Sequence, residues 1–106
     1  MILHNDAVDA ILTRRSIRSY QAKQISEDAL ETILTAGQYA PSGMNQQSAK
    51  AIVVQSKERM QQLVQLAKAA EQVDHNPFYD APTVILVFAD ATQVAPLEDG
   101  CNVLEN

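Results

Sequence analysis

Arg14, Arg15 and Arg18 bring three guanidinium groups into five positions of a chain with only eight Lys and Arg residues and a net charge of −5. Arginine presents a planar fork of donors that matches phosphate geometry, and neighbouring hydroxyls add further donors. The run Arg14-Arg15-Ser16-Ile17-Arg18-Ser19-Tyr20 alternates in character and is expected to be extended. Alternate side chains then share a face, so Arg14, Ser16 and Arg18 point together while Ile17 anchors the opposite side in the core. That face suits a phosphate group or a polar ring edge. A solvated basic turn between helices is the plainer alternative.

A second constellation, Pro41-Ser42-Gly43-Met44-Asn45-Gln46-Gln47, falls between a helix and a strand. Loops held there by a rigid scaffold are favoured ligand sites. Gly43 permits close backbone approach, and Ser42, Asn45 and Gln47 supply uncharged donors and acceptors. An ordinary polar connection is again the simpler reading when the motif stands alone.

The elements that must position these residues follow from periodicity and capping. Residues 5–13 read as a short helix capped by Asn5 or Asp6, with Val8, Ile11 and Leu12 on one face. Ser26 caps a helix at about residues 27–39, with Glu27 and Asp28 in its first turn, and Pro41 and Gly43 end it. Lys50–Gln55 is short and β-branched, as a buried strand should be, and so is Thr83–Phe88. Between them Ser56 caps a helix over 57–72 with a Met60, Leu63, Val64 and Ala67 stripe, and 73–82 is a loop. A last helix begins near Leu97. The result is a single α+β or α/β domain over residues 1–106 whose two strands pair through a crossover helix. Two strands make a thin sheet, which points to further sequence or a partner chain.

Bulk properties exclude several classes. The acidic balance disfavours nucleic acid and anionic membrane surfaces. The longest apolar run, Val84–Ala89, is far short of the roughly 20 residues that cross a bilayer. With no signal peptide and one cysteine, a cytoplasmic protein without an internal disulfide is expected. His4 and His75 lack partners at metal-ligand spacing, and Cys101 is read as a small buried hydrophobe. No G-x-G-x-x-G or phosphate-loop motif occurs.

The two constellations taken together carry more. R-R-S-I-R-x-Y, a capped helix, A-P-S-G-x-N-x-Q and then a strand resembles the opening of the nitroreductase family, in layout over about residues 5–90. The resemblance implies a three-layer α-β-α fold and an FMN-dependent oxidoreductase that works as a homodimer with flavin at the subunit interface. Hydride would pass from NAD(P)H through FMN to a small-molecule acceptor, a nitroaromatic, quinone or similar compound. It implies that Arg14, Arg15, Ser16 and Arg18 hold the FMN phosphate, ribityl chain and pyrimidine edge, with Arg18 the cation beside that edge. Pro41, Ser42, Gly43, Asn45 and Gln47 would cover the flavin from the other subunit, and Asn76 would add a polar ring contact. No side chain need be a catalytic nucleophile, acid or base, because the redox chemistry belongs to the flavin. Where the family pattern continues N-x-Q-P-W, this chain has Ser48-Ala49, which changes the packing beside the motif. Asp99–Asn106 resembles the start of the family's long central helix, so the fold is expected to lack its C-terminal half. A flavin-binding module without redox turnover and a dimerisation domain are the alternatives.

Overall fold

The computed structural model describes all residues from Met1 to Asn106. Its elements are α1 (Asp6–Thr13), α2 (Glu27–Gln38), a 3-10 turn at Gly43–Asn45, β1 (Ala49–Val54), α3 (Lys57–Glu71), β2 (Val84–Ala89) and α4 (Pro96–Glu105). Each of the first three helices starts on a side-chain cap. Asn5 accepts from the Val8 N–H, Ser26 from Ala29 and Ser56 from Arg59. Such caps satisfy one of the unpaired N–H groups of a first turn and contribute about 1 kcal/mol each. Gln72, in the left-handed region, ends α3.

β1 and β2 pair antiparallel, from Ala49 opposite Ala89 to Val54 opposite Val84. This corrects the expected crossover. The 15 residues of α3 carry the chain about 22 Å from the end of β1, and residues 73–83 bring it back to the same end. The outward and return legs cancel, so β2 starts beside the end of β1 and must run the other way.

Opposed residues share a face. Ala49, Ala51, Val53, Ile85, Val87 and Ala89 form one side of the sheet, and α4 packs over it. A Cβ on Gly100 would meet Ala89 Cβ at 3.9 Å and Val87 Cγ1 at 4.0 Å. The reverse face, with Lys50, Ile52 and Phe88, is open, and Ile52 and Phe88 are each more than half exposed. α2 crosses α4 at Gly37, where an added Cβ would lie 3.3 Å from Val103 Cγ1.

The strands are therefore not the buried strands expected. Only Gly37, Ser48 and Asp99 are buried, and no apolar side chain is. Ile17 does not anchor in a core either, and Cys101 is exposed. Ile11 and Leu12 of the α1 stripe also face solvent. The accessible surface is 8631 Å², whereas a compact monomer of this mass exposes about 5,800 Å². The radius of gyration, 15.9 Å, likewise exceeds the value of about 13 Å for a compact domain of this length. No helix is long and apolar enough to cross a membrane.

Candidate flavin site

Residues 14–25 run without helix or strand and are exposed throughout. Arg15 turns back on α1, its Nη1 donating to Leu12 O at 3.2 Å and Arg14 O at 2.8 Å. This guanidinium finishes a helix end whose carbonyls lack partners. Arg14 and Arg18 have no carboxylate partner. The one contact between acidic and basic side chains in the chain is His4 Nδ1 to Asp9 Oδ1, at 2.6 Å. In a protein of net charge −5, two unpaired guanidiniums four positions apart in the chain are an anion-attracting feature.

Tyr20 closes the arginine turn by donating its hydroxyl to Ile17 O at 2.9 Å. Gln24 ties the segment to the start of β2, donating to Pro82 O at 2.9 Å and accepting from the Thr83 hydroxyl. A cleft of about 840 Å³ lies between these two stretches, with Ser16, Arg18, Tyr20 and Lys23 on one side and Phe78 and Tyr79 on the other. Ile17 lines the same cleft as Ser16 and Arg18, so strict alternation does not hold here.

The second motif folds as a tight loop. Met44, Asn45 and Gln47 all have φ near +50°, and each non-glycine residue in that region costs on the order of 1 kcal/mol. Such strain persists only where the surroundings over-determine it, and α4 supplies the restraint. Asp99 Oδ1 accepts the Gly43 N–H at 2.8 Å and Asp99 Oδ2 accepts the Ser48 hydroxyl at 2.6 Å. Gln46 Oε1 accepts the Val94 N–H at 2.9 Å, and Asn102 Nδ2 donates to Pro41 O at 3.3 Å. Within the loop, Ser42 Oγ accepts the Gln47 N–H at 2.9 Å. Gly43 is needed for contact with α4 rather than for φ, since a Cβ there would stand 3.0 Å from Ala95 Cβ.

The loop thus divides its work. Gly43, Gln46 and Ser48 hold it down, while the side-chain amides of Asn45 and Gln47 bond to nothing in the chain and line a cleft of about 750 Å³. Pro41, Ser42, Tyr39 and Lys50 line it too. This cleft and the one beside Arg18 share no residue, so a single copy keeps the two motifs apart.

Asn76 is engaged in its own turn. Its Oδ1 accepts the Phe78 N–H at 2.8 Å and its Nδ2 donates to Asp80 Oδ1 at 3.0 Å. It lines neither cleft but a third one beside α3. Ahead of α4, the Thr92 hydroxyl and then the Thr92 N–H, both donating to Asp90, hold that carboxyl below the usual range, with Gln93 and the charge of Lys50 adding less; burial opposes them.

Sequence reasoning missed Asp99, Ser48, Gln46, Asn102 and Gln24. Asp99 carried no distinguishing signal, because an acidic residue in a first helical turn is commonplace. Ser48 offered a faint one, as a hydroxyl between the motif and its strand.

The profile of the nitroreductase family matches residues 11–100. The chain is 35% identical over 75 residues to an FMN reductase [NAD(P)H] of Bacillus subtilis, an alignment that covers 71% of this chain and 30% of that protein. A crystal structure of a nitroreductase with bound FMN from Bacteroides fragilis superposes with a TM-score of 0.88 at 30% identity, over 96% of this chain and 62% of that one. Another with bound FMN, from Desulfitobacterium hafniense, gives 0.80 at 32% identity, covering 97% and 62%. The chain spans less than half the length of the curated relatives it matches.

Proposed function

Because the chain belongs to the nitroreductase family, we propose that it acts as an FMN-dependent oxidoreductase. Bound FMN would supply the redox chemistry, passing hydride from NADH or NADPH to a nitroaromatic, quinone or similar acceptor. The observation that carries this reading is the pair of unpartnered guanidiniums, Arg14 and Arg18, in an otherwise acidic chain, with Arg18 and Ser16 lining a cleft. Their fork of donors fits a phosphate, and the Ser16 hydroxyl adds a donor between them. Arg15, with one Nη engaged at the end of α1, contributes charge and fixes the turn. Arg18 is assigned to the electron-rich edge of the flavin ring, where a cation favours negative charge. Pro41, Ser42, Gly43, Asn45 and Gln47 are assigned to the opposite side of the flavin. Asn76 is retained as the weakest member, since its amide already serves a turn.

A homodimer belongs to the same reading. The two motifs line separate clefts in one copy, so a flavin touching both needs a second chain. The surface in excess of a compact monomer, about 2,800 Å² per chain, is enough for an obligate interface, which buries about 1,000 Å² and upward on each partner. A cytoplasmic setting fits a chain with one cysteine.

The test is a visible absorption spectrum after loading with FMN and removing the excess. Retention of about one flavin per chain, followed by NADH or NADPH consumption with an acceptor, is expected. Flavin retained without turnover would favour a binding module instead. A colourless protein that cannot be loaded would overturn the flavin site, leaving a dimerisation domain.

A further inference from the structure

We propose that Asp99 is a positioning residue for the flavin-covering loop and acts through Ser48, fixing the free carboxamides of Asn45 and Gln47. The inference rests on the functional reading above, which gives those two side chains to the flavin.

Asp99 is the most deeply buried side chain in the molecule, 2% exposed, in a chain that buries no apolar residue. Its two oxygens serve the two ends of one loop, Gly43 N–H before the left-handed stretch and the Ser48 hydroxyl after it. A carboxyl that accepts at both oxygens fixes the separation of its donors, so the loop's span is set from α4. Asp99 lies in the first turn of that helix, where the backbone dipole favours a carboxylate. Between the anchored points lie Met44, Asn45 and Gln47, all at positive φ. Two of these three carry the carboxamides that face the cleft. The directions of those side chains therefore depend on a strained backbone that relaxes once either end is released.

Ser48 is the point at which this can be probed without dismantling the loop. Gln46 holds the loop to Val94 just ahead of α4, and Asn102 holds it to α4 itself, by separate bonds that persist when the Ser48 hydroxyl is lost. The geometry also distinguishes shape from charge at Asp99. An Asn side chain there keeps an oxygen for Gly43 N–H, and its amide nitrogen donates to Ser48 Oγ, which can accept.

The experiment measures the FMN dissociation constant by fluorescence quenching, with far-UV circular dichroism and the melting temperature recorded on the same samples. Ser48→Ala is expected to weaken FMN binding about tenfold with its spectrum unchanged. Asp99→Asn is expected to stay within about threefold of the parent. A purely structural role would lower the melting temperature of Ser48→Ala and leave the dissociation constant of its folded fraction unaltered, and that result overturns the proposal. A tenfold loss in Asp99→Asn would overturn it too, because that variant keeps both bonds. If the parent protein binds no FMN, the functional reading falls and this inference with it. If the parent binds FMN and Ser48→Ala binds it equally well, only the positioning role falls.

Discussion

The side-chain oxygen of Gln24 accepts the hydroxyl of Thr83, 59 positions further along the chain. With the bond from Gln24 Nε2 to Pro82 O, this is the only hydrogen bonding between residues 14–25 and the chain beyond them. Gln55 steadies the same hydroxyl, its Nε2 donating to Thr83 Oγ1 at 3.0 Å. The arginine segment is thus held to the residues just ahead of β2 at one point, six positions beyond Arg18.

Gln24→Ala should therefore loosen the arginines without touching them. The two bonds are exposed, and each contributes about 1 kcal/mol at most. FMN affinity is expected to fall by up to about tenfold, read by flavin titration, while the circular dichroism spectrum stays that of the parent. An unchanged dissociation constant would show that the segment is fixed by other means.

Replacing both Arg14 and Arg18 by Ala should abolish FMN retention and leave folding nearly intact. Neither guanidinium has a carboxylate partner, so no protein contact of that kind is lost. Full flavin occupancy in the double variant would refute their assignment to the phosphate and ring edge.

Gly43→Ala should be damaging although its φ is not positive. The new methyl would stand 3.0 Å from Ala95 Cβ, with Val94 Cγ1 at 3.7 Å, and would push the loop off α4. A loss of about 1–3 kcal/mol is expected, seen as a lower melting temperature together with weaker FMN binding. An unchanged melting temperature would mean that the Val94–Ala95 segment yields at no cost.

Acid should loosen the turn before α4. The Thr92 donors depress the Asp90 carboxyl below its unfolded range, so its contribution is complete above that range and is lost as pH falls through the depressed value. Asp90 should titrate in an NMR pH series below the ordinary aspartate range. Thr92→Val, which removes the hydroxyl donor, should move it back up. No movement would mean that the hydroxyl is not the principal cause.

Local signals were readable from the sequence, and tertiary ones were not. Ser26 and Ser56 announced two helices whose observed starts agree, because a cap is a contact over three residues. The order of the two motifs was enough to name the family. Strand direction was not readable, because it depends on how residues 73–83 return, through Tyr79 and Asp80 at positive φ. That Arg15 would serve the end of α1, and Asn76 its own turn, is invisible in spacing alone. The expectation of a buried Cys101 failed because hydrophobicity does not say which side of α4 has a neighbour. Asp99 escaped notice because its partners are more than 50 residues away.

The lack of any fully buried apolar side chain has a calorimetric consequence. Heat-capacity change and denaturant sensitivity both scale with the apolar and total surface that unfolding releases. A solitary copy of this chain releases little, so its melting should show a shallow heat-capacity step and a broad denaturation curve. A steep transition whose midpoint rises with protein concentration would instead report surface covered by another copy, and would measure that association directly.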